Sequence, residues 1–299
     1  MDRSPAQEWM ERYVRPARSV ELTHERPWST VLRIPLAEGV AWFKECGKLQ
    51  AFEPRLTSDL FSRWPDRVPE VLAVDETRGW LLLADAGTRI GDLGNLPEYW
   101  LKILPLYAEL QRGEATRISD HLAHGVPDLR VESLPARIDE LLKRDLPLSS
   151  QDRQRLRAFS PRFEQLCGEL SSQSIPDTVQ HDDLHMNNVY VNGDRLRVLD
   201  WGDSSISHPF ASLVATFRFL EERNGITADD PWYTRIRDAY LEPWGIGLTD
   251  VLDLALRVGT IAHAIAAIRQ RTGLRGAARA RFDQDLAIRL KRAATSATR

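Results

Sequence analysis

The residues best suited to chemistry lie in one short segment, His181-Asp182-Asp183-Leu184-His185-Met186-Asn187-Asn188. A second polar group, Asp200-Trp201-Gly202-Asp203, follows it closely. Asp183, Asn188 and Asp200 together offer two carboxylates and an amide oxygen, which are hard ligands that suit Mg²⁺. Mg²⁺ usually keeps waters or phosphate oxygens as its other ligands, so these residue types are suited to holding a magnesium ion.

A predicted hairpin explains how these oxygen donors would meet. The turn Asn192-Gly193-Asp194 separates two alternating apolar runs, a pattern typical of a β-hairpin. Pairing Val191 with Asp194 or Arg195 would return the second strand until Asp200 lies within a residue or two of Asn188. We therefore expect the three donors to share one end of the hairpin.

The elements that must position this segment fall into two groups. Short apolar or alternating runs between about residues 20 and 87 predict strands, interrupted by one helix over about residues 53 to 64. Pro54 suits the first turn of that helix, where the missing N–H costs nothing. The predicted strands are 29–34, 40–44, 71–74 and 80–83.

Beyond Gly87 the apolar spacing becomes helical. We therefore predict an α+β fold: a small sheet lobe with one helix over residues 1–87, a hinge near 84–87, and a larger, mainly helical lobe over 88–299. The predicted helices carry apolar stripes at 100–110, 134–142, 156–170, 210–220, 249–270 and 277–294.

Composition narrows the function classes. The 299 residues are 42% hydrophobic and 28% charged, which is typical of a soluble globular chain. A net charge of −3 gives no basic field, so we expect neither nucleic acid nor a membrane surface as a partner. The longest apolar stretch, residues 258 to 268, is interrupted by His263 and is expected to be too short to span a bilayer.

Two further features bear on the cellular compartment. The first residues mix acids and bases without an apolar core, so we expect no secretory signal. Cys46 and Cys167 are the only cysteines, too few for a disulfide framework or a four-cysteine zinc site. We interpret both as core residues and predict a cytoplasmic protein.

The pattern His-x-Asp-x-x-x-x-Asn, a hairpin and then Asp-Trp-Gly resembles the catalytic core of the aminoglycoside phosphotransferase-like family of small-molecule kinases, which share the two-lobed protein-kinase-like fold. The resemblance is close over residues 181 to 209 and looser elsewhere. It implies that Asp183 is the catalytic aspartate facing the acceptor hydroxyl. Asn188 and Asp200 would hold Mg²⁺ on ATP, and His181 would brace the loop.

One position in this motif departs from the family pattern. Asp182 stands where the family usually has glycine. We expect it to be a solvated turn acid.

The resemblance also assigns the nucleotide side. Lys44, one of few lysines in an arginine-rich chain, closes the strand 40–44 and matches the family's ligand for the α- and β-phosphates. Glu53 is its expected carboxylate partner, with Glu45 an open alternative. The backbone around Asp85 and Ala86, in the predicted hinge, would meet adenine.

The phosphate loop is the weakest part of the match. Residues 23 to 30, where a glycine-rich loop would lie, contain no glycine. No Walker A sequence occurs, which excludes a P-loop protein.

The leading hypothesis is an ATP- and Mg²⁺-dependent phosphotransferase acting on a hydroxyl of a small molecule. Two alternatives remain: a metal-dependent hydrolase using His181, Asp183 and His185, and a catalytically silent nucleotide-binding pseudokinase. A peptide kinase is disfavoured because only eight residues separate Asp200 from Pro209, too few for an activation segment. We therefore expect the helical lobe to hold the acceptor, with Asp203 in its lining.

Charge distribution bears on the acceptor. Residues 231–299 carry twelve Lys and Arg against six Asp and Glu. This part lacks the acidic surplus that a polycation would require, so we expect a neutral or anionic acceptor rather than a polycationic aminoglycoside. The alternative is that these bases form a solvated face without a ligand; they include Arg275, Arg279, Arg281, Arg289, Lys291 and Arg292.

Overall fold

The computed structural model describes residues 4–146, 148–271 and 273–296. Internal contacts divide the chain into two compact units. The first comprises Met1–Gly94 and Asn187–Gly202, and the second Asn95–Met186 and Asp203–Arg299. The hairpin therefore belongs with the strands in this division, whereas the sequence-based boundary assigns it to the helical lobe.

The first unit is built on a five-stranded antiparallel sheet with strand order β1-β2-β3-β5-β4. Each of the four strands predicted from the sequence is present as β2 to β5. The additional strand β1 has all six residues exposed, so no apolar alternation marks it in the sequence. The strands are β1 Glu21–Arg26, β2 Ser29–Pro35, β3 Val40–Cys46, β4 Val71–Asp75 and β5 Trp80–Ala84.

Two helices accompany this sheet. Helix α1, Pro5–Met10, is capped by Ser4 and adds Trp9 and Met10 to a buried cluster that includes Phe43 of β3. No apolar pattern in the sequence predicts α1. Helix α2, Glu53–Arg63, agrees with the predicted helix to within one residue, and it holds Glu53 in its buried first turn.

A three-stranded sheet completes the first unit, formed by β6 (Thr88–Arg89), β8 (Val189–Asn192) and β9 (Arg195–Val198). The predicted hairpin is confirmed, but the predicted register is wrong by at least one residue, because Val191 pairs with Leu196. The two-residue turn is formed by Gly193 and Asp194 rather than by Asn192 and Gly193, because Asn192 pairs with Arg195 and Gly193 adopts a φ of +59°.

The second unit is mainly helical, with one short two-stranded sheet of β7, Thr178–Gln180, and β10, Ser205–Ser207. Every predicted apolar stripe lies on a helix, although α7 begins three residues after the start of the fourth stripe. Helices α4 and α8 are not predicted by these stripes. The helices are α3 Pro97–Glu114, α4 Ile118–Ala123, α5 Leu134–Lys143, α6 Ser150–Ser171, α7 Leu213–Asn224, α8 Pro231–Leu241, α9 Thr249–Arg271 and α10 Gly276–Ser296.

Helix α9 corrects one expectation. By length and composition its segment Thr249–Arg269 could cross a membrane, so the apolar stretch is longer than the sequence analysis allowed. In an 18-residue window, 61% is buried inside the protein. That burial is typical of a core helix, and Leu252, Ile261 and Ile265 are among its buried residues.

Candidate active site

The first unit gathers three of the charged residues singled out from the sequence. The Nζ atom of Lys44 lies 2.6 Å from Oε2 of Glu53 and 2.5 Å from Oδ1 of Asp200. Lys44 and Glu53 are 9% and 1% exposed, whereas the Asp200 side chain is 53% exposed. A buried lysine therefore bridges a buried carboxylate and an accessible one.

The alternation of β3 decides which glutamate pairs with Lys44. Successive strand side chains point to opposite faces, so Glu45 cannot share the face of Lys44. Glu45 is exposed and accepts a hydrogen bond from Nε1 of Trp80 at 3.3 Å. Of the two alternatives, Glu53 is thus the partner.

Burial shapes the charges of this group. Burial alone would lower the pKa of Lys44, but the Asp200 and Glu53 carboxylates raise it well above its usual value. Lys44 therefore stays an ammonium ion. Burial raises the pKa of Glu53 to about 7 against the attraction of Lys44. The Glu53 carboxylate also accepts a hydrogen bond at 3.4 Å from the thiol of Cys46. Cys46 and Cys167 are both buried, as expected for core residues.

Close packing explains the glycine after Trp201. A Cβ atom at Gly202 would lie 2.5 Å from Oε2 of Glu53 and 2.6 Å from Cδ of Gln50. Only a residue without a side chain leaves Glu53 room to face Lys44. Gln50 is a neighbour of the site that the sequence analysis did not identify.

Asn188 and Asp200 meet at the end of the hairpin, as predicted. The backbone N–H of Leu199 donates to the carbonyl oxygen of Asn188 at 2.8 Å, which brings the residue before Asp200 against Asn188. Asp200 adopts a φ of +66°, a conformation that Asp tolerates better than most residues. Their amide and carboxylate oxygens fit Mg²⁺, so the donor set is compatible with the implied metal.

The two other regions that the resemblance assigns to a nucleotide are also in the first unit. Asp85 is exposed and accepts a hydrogen bond from the N–H of Gly87 at 3.2 Å, while Ala86 is buried beside it. Gly87, at a φ of +100°, has the backbone of Val191 where a Cβ would lie. At the position of a phosphate loop, β1 and β2 form a tight hairpin that closes at Arg26 and Ser29.

The second unit holds Asp183 between two histidines. Oδ2 of Asp183 lies 3.2 Å from Nε2 of His185, whose ring packs on Phe219 with centroids 4.5 Å apart. The backbone N–H of Asp183 donates to Nδ1 of His181 at 3.3 Å, and the N–H of His181 donates to the buried hydroxyl of Tyr107 at 2.9 Å. His181 thus contacts the loop through both its backbone and its ring.

These contacts set the charge of Asp183. Burial acts to raise its pKa, but the hydrogen bond from His185 and the fields of His185 and His181 outweigh burial and lower the pKa below its usual value. Asp183 is therefore a carboxylate at neutral pH.

The expectation for Asp182 is wrong: it is 6% exposed rather than solvated. Its φ of +61° explains why glycine suits this position, since Asp is one of the few other residues that tolerate the left-handed region. Its carboxylate accepts hydrogen bonds from Ser205 and, at 2.9 Å, from Nε2 of Gln180. Burial raises its pKa to about 7.

A cleft of about 110 Å³ opens beside Asp183. Asp203 lines it, as do three arginines that the sequence analysis did not place in a site: Arg218, Arg269 and Arg289. Arg289 is partly buried there, so it is not a member of a purely solvated face. Arg279 and Lys291, from the same basic group, pair instead with Asp283 and Asp152; the side chain of Arg292 lies outside the described residues.

The hydrolase alternative requires a cluster of metal ligands. Within residues 4–146, 148–271 and 273–296, no group of three His, Cys, Asp or Glu side chains is placed to hold a metal ion. His181 already accepts a hydrogen bond from the backbone of Asp183 through its ring. The geometry therefore does not favour His181, Asp183 and His185 as joint ligands.

Solved structures with the same fold support this arrangement of elements. The choline kinase LicA from Streptococcus pneumoniae is 12% identical, covers 98% of this chain and 100% of its own, and superposes with a TM-score of 0.64. Wild-type aminoglycoside 2'-phosphotransferase-IIIa, solved with GDP, is 14% identical over 93% of each chain, with a TM-score of 0.62. The amicoumacin kinase hAmiN, solved with AMP-PNP and Ca²⁺, is 10% identical, covers 95% of this chain and 94% of its own, with a TM-score of 0.62.

The predicted protein-kinase-like α+β fold is confirmed by these structures. No curated protein sequence matches the chain. A profile of the phosphotransferase enzyme family matches residues 17–252, which include β2 to β5, the hairpin and Asp183. The chain therefore belongs to the phosphotransferase enzyme family.

Proposed function

We propose that the protein transfers the γ-phosphoryl group of ATP, bound with Mg²⁺, to a hydroxyl of a small molecule. The observation that carries this proposal is the buried Lys44, held between Glu53 and the accessible Asp200. Lysine is a compact point charge, and a carboxylate partner fixes it where phosphate oxygens can reach it. A purely structural ion pair would not need the third, exposed carboxylate.

On the nucleotide side, Lys44 binds the α- and β-phosphates and Glu53 keeps its ammonium in place. Asn188 and Asp200 hold the magnesium ion through oxygen atoms. That ion would neutralise charge on the phosphates as the β–γ bond breaks. The backbone of Asp85 and Ala86 meets adenine at the end of β5. The short β1–β2 hairpin supplies no glycine cradle, so side chains carry more of the phosphate binding.

On the acceptor side, Asp183 orients the hydroxyl and receives its proton. His185 and His181 are positioning residues, since one holds the carboxylate and the other the backbone next to it. Because the pKa of Asp183 is lowered, it accepts the proton from an already ionised state. Only four residues separate Asp183 from Asn188 in the sequence, so one short segment carries both the acceptor residue and a metal ligand.

The acceptor is a small molecule bound in the cleft that Asp203 helps to line. It is not a polycationic aminoglycoside. The arginines beside Asp183 support this choice, because clustered positive charge disfavours a multiply charged cation.

We propose the cytoplasm as the compartment of the protein. The buried free thiols Cys46 and Cys167 fit this compartment, where thiols stay reduced.

Calorimetric binding of Mg²⁺-AMP-PNP tests the nucleotide side. Lys44→Met should weaken binding about 10- to 100-fold, since charge-assisted contacts to phosphate are lost. Lys48→Met is the matched control, because Lys48 is exposed and belongs to no ion pair among the described residues. Asp200→Asn should remove the Mg²⁺ dependence of AMP-PNP binding. It should not unfold the protein, because the Asp200 side chain is exposed.

Two outcomes would contradict the proposal. One is equal AMP-PNP affinity in Lys44→Met and wild type. The other is tightly bound, stoichiometric zinc in the purified protein together with turnover that needs no ATP, which would favour the hydrolase.

A further inference from the structure

Two clefts of the second unit share part of their lining. One has a volume of about 110 Å³ and contains Asp183, and the other has a volume of about 370 Å³. Arg218, His263 and Arg289 line both clefts. The shared residues make the two clefts neighbouring parts of one concave surface.

The larger cleft is mostly apolar where it leaves the shared residues. Phe217 and Tyr233 stack with ring centroids 4.2 Å apart, and both line it together with Ile226 and Leu256. Its acidic lining residue is Glu221, which is exposed. Such a surface fits an aromatic or branched aliphatic group.

The two arginines that line both clefts, Arg218 and Arg289, are partly buried and could bind an anionic ligand. Neither Arg218 nor Arg289 makes an ion pair in the part of the chain that the structure describes. The Arg218 guanidinium lies over the ring of Phe219, 4.6 Å from its centroid. Burial first, and then the charge of Arg218, lowers the pKa of Arg289, although the carboxylates of Asp285, Asp183 and Glu222 act in the opposite direction. Two neighbouring guanidinium groups that form no ion pair within the described residues favour an anion between them.

Other charged groups of the smaller cleft have partners of their own. Oδ2 of Asp183 lies 3.2 Å from Nε2 of His185. The Asp182 carboxylate is engaged by Ser205 and Gln180 and lies in the field of Arg269. Arg269 donates to the backbone oxygen of Asp203 at 3.0 Å, so it is occupied. His263 adds no positive charge, because burial lowers its pKa to about 3.

On the basis of the proposed function, we propose that the acceptor is a hydroxylated carboxylate with an apolar body. Its hydroxyl lies at Asp183, its carboxylate between Arg218 and Arg289, and its apolar group in the larger cleft. In the transfer, the hydroxyl oxygen bonds to the γ-phosphorus and the bond from that phosphorus to the β–γ bridging oxygen breaks. ADP leaves, and the hydroxyl proton passes to Asp183.

The test is ADP release from Mg²⁺-ATP with acceptors in matched sets. Each set contains an aryl- or alkyl-substituted hydroxy acid, its amide and the corresponding amine. Wild type should phosphorylate the acids with the lowest KM. Arg289→Gln and Arg218→Gln should each raise that KM about 10- to 100-fold while changing the KM of amides less than about threefold, because only the acids lose a charge-assisted contact.

Arg281→Gln is the control, since Arg281 is exposed on the same helix α10 and lines neither cleft. Its kinetics should equal those of wild type. AMP-PNP affinity, measured for every variant, separates a lost acceptor contact from a lost fold.

The possible results are distinct. If amides or amines are phosphorylated as well as the acids, and Asp183→Asn abolishes this turnover, the anionic acceptor is wrong and the proposed function stands. If the acids are preferred but the arginine variants leave their KM unchanged, the assigned anion site is wrong. If no set releases ADP and AMP-PNP does not bind, both proposals fail.

Discussion

At the scale of single residues, neighbouring carboxyl groups in one loop have opposite protonation behaviour. Histidines beside Asp183 lower its pKa, whereas burial raises the pKa of Asp182 to about 7. The sequence predicts a site at Asp183 because a motif surrounds it. It does not predict the burial of Asp182, because that depends on Ser205 and Gln180, which reach it only in the folded protein.

Replacing Asp183 with Asn tests its role as proton acceptor. The change keeps the side-chain volume but removes the charge, so kcat should fall about 10²- to 10⁴-fold. The affinity for AMP-PNP should stay within about twofold, because Lys44, Asn188 and Asp200 are unchanged. Steady-state kinetics and calorimetry measure the two quantities. A near wild-type kcat would show that Asp183 is not the base.

Replacing Asp182 with Asn should stabilise the protein at alkaline pH. The folded protein holds this carboxyl with a pKa of about 7, against a usual value of 3.8, so above pH 7 folding must bury a charge. The free energy of unfolding should rise by at most about 4 kcal/mol at pH 8. The gain should shrink as pH falls below 7 and vanish near pH 4.

Urea unfolding of the Asp182→Asn variant across this pH range measures the effect. Asp194→Asn, at an exposed position in the hairpin turn, is the control and should show no such pH dependence. A gain that is constant from pH 4 to pH 8 would mean that the Asp182 carboxyl is not protonated on burial.

At the scale of elements, the side-chain alternation of β3 and the first turn of α2 determine how Lys44 and Glu53 meet. Strand β3 directs Lys44 to the face of Glu53, and α2 begins with Glu53 in its buried first turn. The sequence predicts both elements, since their apolar spacing is regular. Strand β1 is not predicted from the sequence because it has no apolar face. Helix α1 is not predicted because it is only six residues long.

Gly202→Ala tests the packing between the hairpin and α2. The new methyl group would lie 2.5 Å from Oε2 of Glu53, so Glu53 must shift away from Lys44. We expect a loss of about 1–3 kcal/mol in the free energy of unfolding and weaker AMP-PNP binding. Gly168→Ala is the matched control: its Cβ meets nothing within 4 Å in α6, and it should stabilise by about 0.5–1 kcal/mol. Equal AMP-PNP affinity in Gly202→Ala and wild type would contradict this packing.

At the scale of the whole molecule, the sequence supports the fold class and the family but not the acceptor surface. Apolar periodicity predicts the helical part well, because its helices are long. The basic surplus of residues 231–299 is visible in the sequence, yet only the fold separates Arg289, which lines the Asp183 cleft, from Lys291, which pairs with Asp152. Charge counts cannot make that distinction, since they ignore which side of α10 a residue occupies.

The central claim is phosphoryl transfer, and following the γ-phosphate of labelled ATP tests it most directly. With Mg²⁺ and the hydroxy acid sets, wild type should move the label from ATP onto an organic product. Asp183→Asn and Asp200→Asn should each slow this transfer by at least about 100-fold. Release of the label only as inorganic phosphate, or transfer that persists undiminished in Asp200→Asn, would contradict the account.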